Sequence, residues 1–98
     1  MSQTETTIDL PRRADLSTAG PLRDAFLAAK GDVHLRAGAV EVLNSPVLQV
    51  LLSARRTLEA ADRRVVLVAA SRAFDDCLAL LGASREHVCS VDRTEVPA

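Results

Sequence analysis

From Pro46 onward, Val47, Leu51, Ala54 and Leu58 recur at intervals of three and four, joined by Leu48 and Leu52. Ser45, Gln49, Ser53 and Arg56 repeat on the opposite side. That spacing predicts a helix over Pro46–Ala61 with one buried and one wet face. Upstream, Asp32–Ala37 alternates, with Val33 and Leu35 facing one way and His34 and Arg36 the other, which predicts a half-buried strand. Val65–Val68 is an unbroken apolar run between charges and reads as a strand covered on both faces.

Two further helices follow the same logic. Leu22, Ala25, Phe26 and Ala29 form one apolar stripe, with Ser17 or Thr18 as the cap and Gly31 as the stop. Ser71 opens another helix, whose stripe is Phe74, Cys77, Leu78 and Leu81 and whose end is Gly82. Asp75 and Asp76 fall in its early turns, where negative charge suits the helix dipole. Short strands are predicted at Thr6–Leu10, stopped by Pro11, around Ala14–Leu16, and at an edge over Val88–Val91. "GAVEVL" reads as a connector and "DRTEVPA" as a frayed tail.

Strands alternating with helices require crossover connections, so the expected class is α/β with a mixed, mostly parallel sheet of four to five strands and three to four helices. The 98 residues suit one domain, ordered over about residues 6–91.

Composition removes several function classes. Aromatics are 2% of the chain, with no Trp or Tyr, and the net charge is −1. A nucleic-acid surface needs stacking platforms or a basic stripe, and neither is present in the sequence. No apolar run approaches the length of a membrane span, and "MSQTETT" lacks the basic-then-apolar order of a signal peptide. Cys77 and Cys89 lack a CxxC spacing and read as reduced, partly buried thiols of a cytoplasmic protein. No glycine-rich phosphate loop occurs, His34 and His87 stand outside any metal-ligand spacing, and no G-x-S-x-G surrounds Ser45. The expectation is no cofactor, no metal, no catalysis and no direct membrane insertion.

Ser45 admits two readings. As an N-cap followed by Pro46, its hydroxyl would accept a bond from an orphan N–H and contribute about 1 kcal/mol. As a switch, it would carry a phosphate at a helix N-terminus, where free N–H groups and the dipole favour negative charge.

Three stretches resemble the STAS family, the sulfate-transporter and anti-sigma-factor-antagonist domains. "ADLSTAGPLRDAF" is similar to the early strand–helix signature, "VEVLNSPVLQVLLSA" to the central strand-to-helix junction, and "RRVVLVAASRAFDDCLALLG" to the closing strand and helix. The resemblance runs from about Ile8 to Val91 and implies the STAS fold. In antagonist members the first serine of the junction is phosphorylated by a kinase that is also the binding partner, and Ser45 falls on that position. Asn44, Pro46 and Val47 replace the aspartate, second serine and glycine of the pattern. Arg36 stands where an aspartate usually closes the preceding strand, which makes it a candidate neighbour of a phosphate on Ser45.

"LQVLLSARR" and "ASRAFDDCLALLG" most resemble small stand-alone members encoded in chemotaxis clusters, which implies binding to a signalling histidine kinase. The alternatives are an anti-sigma-factor antagonist switched at Ser45 by a serine kinase, and a STAS subunit of a lipid-transport ATPase. For the signalling reading the expected partner-binding residues are Asn44, Ser45, Pro46, Val47, Gln49, Ser53 and Arg56, with Val50 and Pro46 as apolar contacts, in a monomer or weak homodimer.

Overall fold

The computed structural model describes residues 5–94. In chain order the elements are β1 (Glu5–Asp9), β2 (Arg13–Ala14), α1 (Leu16–Ala28), β3 (Asp32–Ala37), β4 (Val42–Leu43), α2 (Ser45–Ala60), β5 (Val65–Ala70), α3 (Arg72–Leu80), α4 (Arg85–Val88) and β6 (Val91–Asp92). Four strands form a sheet in the order β1-β3-β5-β6, and β2 pairs with β4 in a separate two-stranded ladder. Every pairing among the described residues is parallel. The α/β architecture expected from the alternating pattern is therefore present, with helices as the crossovers.

Alternation along the strands decides which side is the core. Ile8, Leu10, Val33, Leu35, Ala37, Val65 and Leu67 join Leu22 and Phe26 of α1, five residues of α2, Phe74 and Leu78 of α3, and Val88 of α4 in one apolar cluster. The other face is polar at the β1–β3 edge. Asp9 lies directly opposite Arg36 and pairs with it at 3.0 Å, and Glu5 lies 3.5 Å from His34. β5 departs from the expectation of helix cover on both faces. Val66 is buried, but between His34 and Val91 of the neighbouring strands, and Val68, at a register shift, is only half-buried.

Helix ends show where local chemistry won. α1 is capped by Asp15, not by Ser17 or Thr18: its carboxylate accepts from Ser17 N at 3.1 Å and Ser17 Oγ at 2.7 Å. These bonds, led by the Ser17 hydroxyl, hold the Asp15 carboxyl below its ordinary range. Beyond α1, Gly31 has φ 66°, and Arg63 donates to Gly31 O at 2.7 Å and Ala29 O at 2.9 Å. The turn after α1 therefore needs the left-handed conformation that glycine adopts freely, and the arginine satisfies two carbonyls there.

The expected strand at Val88–Val91 is corrected. Val88 closes α4, whose start carries a capping box between Ser84 and His87, and β6 begins only at Val91. Of the expected frayed tail, Asp92–Thr94 is bonded: Arg93 N donates to Leu67 O at 2.7 Å and Thr94 N to Asp92 Oδ1 at 3.0 Å. The rest of that tail lies outside the described residues, as does the start of "MSQTETT". Among the described residues no helix is long and apolar enough to cross a membrane.

Candidate partner-docking surface

The junction before α2 is set by β4. Ala14 pairs with Leu43, and Asn44 N donates to Ala14 O at 3.0 Å. That bond holds Asn44 extended, at φ −102° and ψ 164°, so its carbonyl accepts from Val47 N at 3.1 Å and Leu48 N at 3.2 Å. Asn44 is thus the N-cap, although its side chain makes no capping bond. Ser45 is the first helical residue and Pro46 the second, where a missing N–H costs nothing. The capping role expected of Ser45 is corrected by one position. Its side chain is exposed, one residue inside the cap position.

The seven expected partner residues do not all share one surface. Asn44, Ser45 and Pro46 line a shallow depression with Val42, Cys77, Leu80 and Leu81. Gln49 and Ser53 line a second groove, of about 220 Å³, between α1 and α2 with Arg23, Phe26, Leu27, Val50 and Leu58. The polar ridge of α2 therefore runs between two hollows. Arg56 is exposed on that ridge but lines neither.

Val47 is a correction. It is fully buried in the core, because it starts the apolar spacing that continues at Leu51, Ala54 and Leu58, and it presents nothing to a partner. Arg36 sits at the far end of β3, paired with Asp9 and lining a hollow with Leu10, Gly38 and Ala39. That hollow is separate from the one Ser45 lines.

Leu80 and Leu81 are the residues the sequence pattern concealed. Leu81 belongs to the apolar stripe by spacing, but α3 ends at Leu80 and Gly82 turns the chain with φ 80°. Leu80 is left 86% exposed beside the α2 N-terminus. Adjacent leucines just before a glycine stop were the available signal, since only one of two neighbours can face inward.

Electrostatically the surface is quiet. No charged residue lies between Glu41 and Arg55, and Glu41 is paired with Arg12 at 3.1 Å. Cys77 is half-buried in the depression wall. Cys89 is buried, and desolvation pushes its thiol upward, which keeps it protonated and unreactive near neutrality. Ser84 Oγ lies 3.3 Å from His87 Nδ1, but that nitrogen already accepts Ser84 N at 3.0 Å, so the pair is a helix cap and not an activated nucleophile. Among the described residues no cluster of three His, Cys, Asp or Glu could hold a metal.

What this arrangement offers is a ridge without charge from Asn44 to Ser53, flanked by apolar hollows, which suits protein contact more than chemistry. A family model described as "Mlab, STAS domain" matches residues 1–90. Neither the curated proteins nor the solved structures contain a match to the chain.

Proposed function

The chain belongs to the STAS domain family, and from that premise we propose that it is a cytoplasmic, non-catalytic docking module of bacterial signal transduction that binds a signalling histidine kinase. Membership itself makes it an antagonist-like interaction domain of the general kind. The observation that carries the finer reading is the position of Asn44, Ser45, Pro46, Gln49 and Ser53 along the part of the α2 ridge that carries no charge, ahead of Arg56, with an apolar hollow beside it at either end. Such a ridge gives polar register and apolar affinity together.

Capture from native lysate, followed by titration calorimetry against the recovered kinase, tests it. Gln49→Arg is expected to weaken that affinity by about tenfold or more, while Tm stays essentially unchanged, since Gln49 is exposed. Equal loss of affinity and stability overturns the surface assignment, and recovery of no kinase overturns the partner.

Two observations favour other partners. The exposed, non-capping Ser45 hydroxyl suits an anti-sigma-factor antagonist switched by a serine kinase. Intact mass after incubation with that kinase and ATP separates this reading from the first. The exposed Leu80 and Leu81 beside an uncharged helix end suit lasting contact within a lipid-transport ATPase. Constitutive co-purification with an ATPase and membrane proteins marks that case.

A further inference from the structure

We propose that the outer stripe of α1 is the seam of a two-fold, antiparallel homodimer. Leu16 and Leu27 are 73% and 72% exposed, although both lie in a well-formed helix. At 3.6 residues per turn, Leu16, Gly20, Arg23 and Leu27 fall within about 60° of one another around the axis. Leu22 and Phe26 carry the contact with the core instead. The stripe is thus an unpartnered face with a large leucine at each end, about 16 Å apart by helical rise.

The occupant that fits this face is a second copy of it. Laid antiparallel about a two-fold axis, the stripe sets Leu16 of each copy against Leu27 of the other, so both exposed leucines are covered at once. Gly20 then lies across from Arg23. A Cβ placed on Gly20 would meet nothing within 4 Å, so the backbone there is open to a neighbouring helix.

The charges agree. Arg23 and Asp24 are the only charged residues of α1 and have opposite signs. They pair with each other at 3.3 Å, with side chains 68% and 69% exposed. An exposed pair between adjacent residues holds its partners weakly, and the arginine is long enough to exchange to Asp24 of the facing copy. Repeated by the two-fold, that exchange gives two crossed ion pairs, whereas an unlike partner would need its own matching charges. Antiparallel α1 helices also oppose their dipoles favourably.

The α1–α2 groove lies directly beside Leu27, so a second copy on this seam narrows access to Gln49 and Ser53 and leaves Asn44, Ser45 and Pro46 open.

Sedimentation equilibrium of the full chain from about 10 to 500 µM tests the seam. The wild type is expected to self-associate within that range. Leu27→Glu is expected to raise the dimer dissociation constant by about tenfold or more with Tm essentially unchanged, because Leu27 is 72% exposed. Arg23→Asp places like charges across the axis and weakens the dimer; the swapped double variant R23D/D24R restores it. A monomer throughout the range overturns the proposal, as does a dimer sensitive to Leu80→Glu but not to Leu27→Glu. Failure of the double variant to recover overturns the antiparallel pairing.

Discussion

Ser45 and Val47 stand two residues apart in opposite surroundings, and alanine substitutions separate them. Ser45 is exposed and Asn44 holds the cap position, so Ser45→Ala is expected to change stability by less than about 0.5 kcal/mol. Val47 is wholly buried, so Val47→Ala removes two packed methyl groups and is expected to cost about 2 kcal/mol. Urea denaturation of both variants checks the contrast; a loss of 1 kcal/mol or more at Ser45, about the value of a helix cap, overturns the reassignment. The offset was not legible because Asn and Ser cap equally well. The tie was broken by a contact distant in sequence, the bond from Asn44 N to Ala14 O, which ends the strand one residue before Ser45. The spacing it shares with Leu51, Ala54 and Leu58 already placed Val47 on the buried side. Alignment with the family junction gave it a surface role instead.

At the scale of elements, α3 shows a start that is both legible and testable. Ser71 was identifiable as its cap, and the hydroxyl does accept from Phe74 N at 3.0 Å. The same hydroxyl donates to Val40 O at 2.6 Å, which ties the helix start to the loop after β3. Ser71→Ala loses both bonds and is expected to cost about 1–2 kcal/mol in chemical denaturation, whereas Ser71→Asp keeps the cap and recovers about half. Equal costs for the two variants would show that the bond to Val40 carries the effect. Periodicity also gave α1, α2 and β3, because each keeps one buried face for several residues, and the unbroken apolar run gave β5. It failed at Val88, Cys89 and Val91, a run too short to separate strand from helix. There the Ser84 cap and the partners of Arg85 decide, and both are bonds to side chains, which hydropathy does not report.

For the molecule as a whole, Arg85 is the tie between its last elements. It forks onto both Asp75 carboxylate oxygens of α3 at 2.7 Å, and its third nitrogen reaches Thr94 Oγ1 at 2.7 Å and Asp92 of β6 at 3.4 Å. Glu86, next in α4, accepts at its carbonyl from Arg55 of α2. One short helix thereby joins α2, α3 and the edge strand. Arg85→Ala leaves two carboxylates without their cation and is expected to cost about 1–2 kcal/mol near neutral pH, a range kept low because these side chains are partly exposed. The pH dependence follows from Asp92, since the bonded arginine is pushed further above its ordinary value and never titrates. Asp92 is held below its ordinary range, first by Thr94 and then by Arg85. A depressed carboxylate adds stability above its unfolded pKa and loses it as pH falls through the folded one. The gap between wild type and Arg85→Ala should therefore be full at neutral pH and narrower at an acid pH below the ordinary carboxylate range, as pH falls toward the depressed Asp92 value. Urea titrations at the two pH values measure it, and a gap independent of pH would assign Arg85 a packing role instead. The consequence reaches the docking ridge: α3 ends in Leu80, which with the following Leu81 lines the hollow beside Ser45, so loosening this tie should also weaken partner binding at the α2 N-terminus while sparing self-association along α1.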